Sequence, residues 1–207
     1  MTAMPAPPPS DSPSDSLATR ASTSVLALVS EPPVSTRRSV AAPRIAAEAA
    51  TKAAASKAAL AAGALALPPG PLGWLTIVPE MLAVWRIQAQ LVADIAALHG
   101  QTAKLGPAQM LYCLFRHTAA QAVRDLAVRV GERVIVRPIA TAALSQVATA
   151  VGLRLGKKIV GKSLSRWVPL IGAAGVSAYA YYDTRQVGRA ALALFERDQV
   201  IDNPAEL

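Results

Sequence analysis

The chain has 207 residues, of which 53% are hydrophobic and 16% charged, and it carries a formal net charge of +8. Much of the hydrophobic fraction is alanine and only 4% of the residues are aromatic, so the composition favours helices packed through small side chains over a large β-sheet. Cys113 is the only cysteine, which excludes an intramolecular disulfide and leaves the redox compartment open. We expect an all-α protein, an alanine-rich bundle of about five to six helices.

The first 40 residues contain the segments PAPPPSDSPSDS and SEPPVSTRRS. Such a density of Pro and Ser predicts a disordered tail over residues 1–40. A secretory signal is not expected, because the apolar run VLALV is short and Pro follows soon after it. The remaining chain is interpreted as one helical domain at 41–200 with a short C-terminal tail at 201–207.

Three helices are predicted in the first part of the domain. The alanine-rich segment 46–67 has high helix propensity and ends before PPGP. A second helix covers 74–99, with Gly100 placed where a helix commonly takes a left-handed residue at its C-terminus. Pro107 suits the first turn of a third helix, which we expect to bend or end at Gly131 or Pro138.

Two segments of 16 residues each, 138–153 and 167–182, contain no charged residue. A helix that crosses about 30 Å of hydrocarbon needs roughly 20 apolar residues, so both segments fall short of a standard span. We interpret them as buried or interfacial helices. A spanning or re-entrant hairpin is the alternative.

Positive charge is concentrated in the middle of the chain, where residues 101–166 hold eleven Lys or Arg against Asp125 and Glu132. Within the basic segment, residues 154–166, four cations follow one another at four-residue intervals and a fifth lies close by: Arg154, Lys158, Lys162 and Arg166, with Lys157. Four residues advance a helix by 400°, so these cations form one stripe, with apolar side chains opposite. The pattern predicts binding to anionic lipid head groups. An acidic protein partner and a solvated helix face are the alternatives.

Nucleic acid is the less favoured anionic partner. The basic residues supply phosphate contacts, but few aromatic residues are present for base stacking and no reading motif is recognisable. We therefore expect no nucleic-acid binding.

The second predicted helix carries four polar residues within an arc of about 120°: Glu80, Arg86, Gln90 and Asp94. They form either a polar seam buried against another helix or a solvated edge. Neither alternative predicts catalysis, which requires a carboxylate in a cleft with a shifted pKa.

Metal and cofactor chemistry is not expected. Cys113 and His117 lie one helical turn apart, and His99 and Asp125 are the other plausible partners, but one cysteine and two histidines do not supply the paired spacings of a structural zinc site. No Gly-rich phosphate loop, GxSxG or HExxH motif occurs. The sequence predicts a protein without catalytic residues, metal or cofactor.

Two patterns in residues 70–195 resemble the EcsC family of bacterial proteins. An apolar helix ends in a pattern matched by Ile95, Ala96, His99 and Gly100, and a later helix matches a second pattern at Thr184, Val187, Gly188, Arg189, Ala190 and Ala191. His99 stands where the family has another aromatic residue. The resemblance implies membrane association, and it brings no catalytic residues with it. In the same helix, the spacing of Arg185 and Arg189 is compatible with an ion pair to Asp183 or with an anion contact.

These observations predict a non-enzymatic, membrane-associated helical protein, accessory to a transporter or an envelope process. It is expected on the cytoplasmic side of the cell membrane, peripheral or partly inserted, with an anionic membrane surface or a membrane protein as its partner. The alternative is a soluble, cytoplasmic helical module that binds an acidic protein.

Overall fold

The computed structural model describes residues 13–65, 73–117, 127–130, 133–136, 145–146, 149–150 and 169–196. Five helices dominate this part of the chain: α1 (Pro13–Ser30), α2 (Pro43–Leu65), α3 (Gly73–Leu98), α4 (Pro107–Phe115) and α5 (Pro169–Phe195). A short 3-10 turn at Thr102–Lys104 precedes α4. The predicted helical fold class is confirmed.

The first two predicted helices correspond closely to α2 and α3. Helix α3 ends as its sequence predicts, because Gly100 adopts a φ of 70°. The N–H of Gly100 then donates to the carbonyl of Ala97, and the N–H of Gln101 donates to the carbonyl of Ala96. These two bonds satisfy carbonyls that the end of a helix leaves without partners.

The third predicted helix was too long. It begins at Pro107 as expected, but α4 ends at Phe115, and two strands, β1 (Ala127–Val130) and β2 (Arg133–Val136), form an antiparallel hairpin further on. In the hairpin Val130 pairs with Arg133 and Ala127 pairs with Val136. Strand β1, AVRV, has valine at every second position, and β2, RVIV, has three consecutive β-branched residues, a composition that favours a strand over a helix. Neither strand exceeds four residues, so no large β element is present among the described residues.

The N-terminal region is ordered from a point earlier than predicted. Residues 1–12 lie outside the described part, but α1 begins at Pro13 and its Val25 and Val29 are completely buried in the core. An extended segment follows, and the N–H of Val40 donates to the carbonyl of Leu98. The predicted tail at 1–40 is therefore corrected over residues 13–40. Val25 and Val29 lie one helical turn apart and give α1 an apolar stripe. The prediction missed this stripe because Pro and Ser dominate the sequence on either side of it.

Helices α2 and α5 lie antiparallel and very close together. A Cβ atom placed on Gly188 would come within 2.4 Å of the Thr51 side chain, and one placed on Gly63 would come within 2.3 Å of the hydroxyl of Ser177. Small residues line the rest of the contact: Ala47, Ala55, Ala58, Ala62, Ala180 and Ala191 are buried. An interface of this kind brings two helix backbones together because no large side chain holds them apart.

Helix α3 occupies the centre of the bundle. Its Trp85 meets Phe115 of α4 edge to face, with ring centroids 5.5 Å apart. The stretch Met81–Leu98 is the one helix of the described residues that is long and apolar enough to cross a membrane, and 61% of it is buried inside the fold. The core helix of a bundle meets the same criterion of length and composition.

The two uncharged segments have different outcomes. Of residues 138–153, only 145–146 and 149–150 are described; they are helical and none is fully buried. Residues 169–182 form the first half of α5, where Ala173 and Ala180 are buried while Tyr179 and Tyr182 are exposed. This half of α5 is therefore one-sided, and it continues without a break into a charged second half.

Candidate functional site

The basic segment lies outside the described residues, so Arg154, Lys157, Lys158, Lys162 and Arg166 stay a prediction from the sequence. Helix α5 begins at Pro169, three residues after the last of these cations. Helix α5 therefore follows the basic segment closely along the chain.

The exposed residues of α5 share one side of the helix, which we call the α5 face. It is uncharged at first and cationic further along: Ala174, Gly175, Ala178, Tyr179, Tyr182, Arg185 and Arg189. At 100° per residue these positions fall within about 140°. The face combines two partly exposed aromatic rings, Tyr179 at 43% and Tyr182 at 60%, with two guanidinium groups.

Such a face has defined chemical capabilities. A tyrosine ring is apolar on its faces and polar at its hydroxyl, which suits the boundary between water and a less polar phase. An arginine presents a planar fork of N–H donors that matches a phosphate or carboxylate group. Together they can contact an anionic surface that has apolar material beneath it.

Behind this face lies a polar cluster that joins three parts of the fold. The amide of Gln88 on α3 donates to Asp183 Oδ2 at 2.8 Å and to Thr184 Oγ1 at 3.2 Å. His117, in the turn after α4, approaches Asp183 Oδ1 through Nε2 at 2.6 Å. Gln88 and Thr184 are fully buried and Asp183 is nearly so. The polar cluster, Gln88, His117, Asp183 and Thr184, fixes how α5 sits against α3 and α4.

The polar cluster is linked to the α5 face through Tyr179. Burial of part of the ring raises the pKa of Tyr179 to about 12, and the negative charge of Asp183 and a hydrogen bond to it add to the shift. The Tyr179 hydroxyl therefore donates to Asp183 one turn further along α5. This bond holds the tyrosine in place on the exposed side of the helix.

The arrangement does not assemble a cysteine nucleophile. Cys113 lies one turn before His117 on α4, but it is fully buried, and burial raises the pKa of its thiol to about 12 despite the nearby positive charge of Arg116. A thiol with this pKa is protonated at neutral pH, whereas a nucleophilic cysteine requires a thiolate. Within the described ranges, no group of three or more His, Cys, Asp or Glu side chains is placed to hold a metal ion.

Of the predicted polar seam on α3, Gln90 and Asp94 come together, and they contact an extended segment and not another helix. Asp94 accepts bonds from Ser35 Oγ at 2.7 Å and Arg37 Nε at 3.2 Å, and Gln90 donates to Asp94 at 3.0 Å. Arg86 is exposed, and the side chain of Glu80 lies outside the description. The seam therefore attaches the extended segment 31–40 to α3.

Sequence reasoning missed the polar cluster because its members are far apart along the chain. His117 and Asp183 are separated by 66 residues, and Gln88 and Asp183 by 95. One local signal was available. Asp183 and Thr184 follow the uncharged first half of α5, and a buried carboxylate in such a position needs partners elsewhere in the fold.

No protein-family model matches this chain, and neither does any curated protein or solved structure. The resemblance to the EcsC family therefore stays a prediction. Function is inferred below from the chain's own residues.

Proposed function

We propose that this protein is a non-enzymatic helical protein that attaches to the anionic surface of a membrane, on its cytoplasmic side. The basic segment 154–166 supplies most of the electrostatic attraction, and the α5 face supplies the aromatic and arginine contacts. A role as an accessory to a transporter or an envelope process is compatible with this activity.

The observation that carries the proposal is the exposed α5 face, which belongs to the helix that begins three residues after the basic segment. Tyr179 and Tyr182 are partly exposed although the same helix buries Ala173 and Ala180 on its other side. The first half of α5 thus packs small side chains inward and leaves two aromatic ones outside, whereas Trp85, Phe115 and Phe195 are buried elsewhere in the bundle. Aromatic residues beside cations are typical of proteins that sit at the level of lipid head groups.

The expected strength of attachment follows from the number of cations. Each Lys or Arg near an anionic bilayer contributes about 1 kcal/mol, and the attraction falls off within a Debye length of about 8 Å at physiological ionic strength. Five cations in the basic segment are therefore sufficient for reversible attachment that added salt weakens.

A vesicle sedimentation assay tests the proposal. The full chain is mixed with phosphatidylcholine vesicles that contain or lack roughly 30% phosphatidylglycerol, which is an anionic lipid. We expect binding only with the anionic lipid and its loss at high salt. Replacing Lys158, Lys162 and Arg166 by Gln should weaken binding roughly a hundredfold, since three contributions of about 1 kcal/mol are removed.

A matched variant controls for net charge. Arg20, Arg38 and Arg86 are exposed and lie outside the basic segment and the α5 face. Replacing these three by Gln removes the same total charge. Equal loss of binding in the two triple variants would show that only net charge matters and would contradict the proposed attachment site.

Cell fractionation then distinguishes the modes of attachment. Release from the membrane pellet by high salt indicates peripheral binding through charge. Resistance to alkaline carbonate indicates that residues 138–153 or 167–182 insert. Recovery of all the protein in the first supernatant, together with no vesicle binding, would overturn the proposal.

The second candidate is a helical module that binds an acidic protein. The observation that favours it is the burial of α3, since the apolar stretch Met81–Leu98 is accommodated by the bundle itself. This candidate predicts that the full chain is monodisperse without detergent, that it does not bind anionic vesicles, and that the triple variant in the basic segment loses an acidic partner.

A further inference from the structure

We infer that the outer side of α2 is a second contact with the anionic membrane surface, so that the bundle lies with α2 along the lipid head groups. This inference rests on the proposed membrane attachment and extends it to a surface that lies far from the basic segment in the sequence.

The outer residues of α2 form one stripe, which we call the α2 face. All of them are exposed: Ile45, Ala49, Ala53, Ser56, Leu60 and Ala64. At 100° per residue they fall within about 100°. Ile45 is 72% exposed and Leu60 is 76% exposed, and they are the two large aliphatic side chains that the described helices leave most open to solvent.

Cations flank the α2 face on both sides. Lys52 and Lys57 are exposed and lie about 20° beyond the two edges of the stripe. Long lysine side chains in this position can extend upward to phosphate groups while the apolar stripe faces the acyl chains. Glu48 is the one acidic residue of α2, and Arg44 pairs with it at 3.2 Å.

The opposite side of α2 is already used by the fold. Thr51 packs on Gly188, and Ala58 and Ala62 are buried among α3 and α5. The α2 face is therefore not needed to hold the bundle together in the described part of the chain. The α2 face is apolar along its centre and basic along its margins. This pattern is typical of a helix that lies in the plane of a membrane surface.

Charge favours a lipid surface over a second copy of this chain. A two-fold pairing of α2 faces would bring Lys52 and Lys57 of each copy close to those of the other, and Glu48 is already paired with Arg44. Apart from Ile45 and Leu60, the stripe offers only small side chains, which bury little area between two proteins. Anionic head groups satisfy both lysines at once.

Site-specific fluorescence tests the inference in the full chain. The buried Cys113 is a poor target for labelling, so single cysteines introduced as Ile45→Cys and Leu60→Cys can carry an environment-sensitive dye. Val34→Cys is the matched control, because Val34 is aliphatic, 86% exposed and outside α2. With anionic vesicles we expect a blue shift of emission at positions 45 and 60 and none at 34.

A charge variant provides the second measurement. Replacing Lys52 and Lys57 by Gln should weaken vesicle binding roughly thirtyfold, whereas the same change at Arg20 and Arg38 should have a smaller effect. The variants keep all buried side chains of α2, and circular dichroism checks that the helices remain folded.

The outcomes separate this inference from the proposed function. If the wild-type chain binds anionic vesicles but dyes at 45 and 60 stay in water, the α2 inference is wrong and the proposed function stands. If the wild-type chain does not bind, the proposed function fails first and the inference fails with it. A blue shift that grows with protein concentration and needs no vesicles would identify self-association and overturn the inference.

Discussion

Asp183 is the residue that connects the members of the polar cluster. It is 8% exposed and accepts hydrogen bonds from Gln88, His117 and Tyr179, which come from α3, the turn after α4 and α5 itself. A carboxylate this deeply placed is stable only when its oxygens are satisfied. Asp183 thus serves the fold, while Arg185 and Arg189 remain on the exposed side of the same helix.

Replacing Asp183 by Ala should lower the free energy of unfolding by about 2–4 kcal/mol, because Gln88 and His117 would each lose the carboxylate that accepts their hydrogen bond inside the fold. Urea unfolding followed by circular dichroism measures the effect. Arg185→Ala, two residues further along α5 but exposed, is the control and should change stability by no more than about 0.5 kcal/mol. Similar losses in both variants would argue against the polar cluster as a stabilising unit.

Cys113 predicts a pH dependence of stability. Its thiol pKa is raised from 9.0 to about 12 in the folded protein, so between these values the unfolded chain has lost the proton while the folded chain keeps it. The unfolded state then binds fewer protons, and stability falls as pH rises above 9, by up to about 1.4 kcal/mol per pH unit. Below pH 9 this contribution is complete.

Urea unfolding at a series of pH values from 8 to 10.5 tests this prediction. Cys113→Ala removes the titrating group, and we expect its stability to fall less steeply than that of the wild-type chain. Comparison of slopes cancels the cost of the small cavity that the variant creates. Identical slopes would show that the thiol does not control the alkaline loss of stability.

At the scale of elements, the close α2–α5 contact depends on two particular glycines. Gly188 faces the Thr51 side chain and Gly63 faces Ser177, whereas a Cβ atom on Gly175 would meet nothing within 4 Å. The run of small residues at 172–175 is, by its sequence alone, equally compatible with a close helix approach. The structure places that approach elsewhere on the same helix, since Gly175 belongs to the exposed α5 face.

The same substitution at two glycines of α5 should therefore have opposite effects. Gly188→Ala should destabilise the protein by about 1–3 kcal/mol, because the new methyl group overlaps Thr51 and the helices must separate. Gly175→Ala should be neutral or stabilise by up to about 1 kcal/mol, since alanine has the higher helix propensity and nothing lies in its way. Thermal unfolding of both variants measures the difference, and a loss at Gly175 equal to that at Gly188 would contradict the packing.

At the scale of the whole molecule, the N-terminal region belongs to the folded unit. Helix α1 inserts Val25 and Val29 into the main core, and Ser35 and Arg37 bind Asp94 on α3. The extended segment 31–40 is thus held between α1, which packs in the core, and α3, which it contacts directly.

The double variant Val25→Ala and Val29→Ala should cost about 2–4 kcal/mol of stability, because it leaves cavities in a packed core. A disordered tail would predict no effect. Val34→Ala makes the same chemical change at a site that is 86% exposed, and we expect it to stay within about 0.5 kcal/mol of the wild type. Chemical denaturation of the three proteins provides the comparison.

The sequence by itself determined the helical class, the positions of α2 and α3, the left-handed Gly100 and, within the described ranges, the lack of a large sheet. These features depend on local chemistry: alanine propensity, proline and glycine at helix ends, and residue spacing. The cluster of positive charge at residues 154–166 is likewise read directly from the sequence, because it does not depend on the fold. The short hairpin was missed, although the β-branched residues of its two strands were visible in the sequence.

Tertiary structure alone decided which residues meet across the chain. Packing between distant segments decided that α1 docks on the core and that Asp94 binds the segment 31–40. It also decided which glycines lie at the contact between α2 and α5. The polar cluster shows the physical reason most clearly. A buried carboxylate on α5 requires donors, and only the folded arrangement places Gln88 and His117 within hydrogen-bonding distance of it.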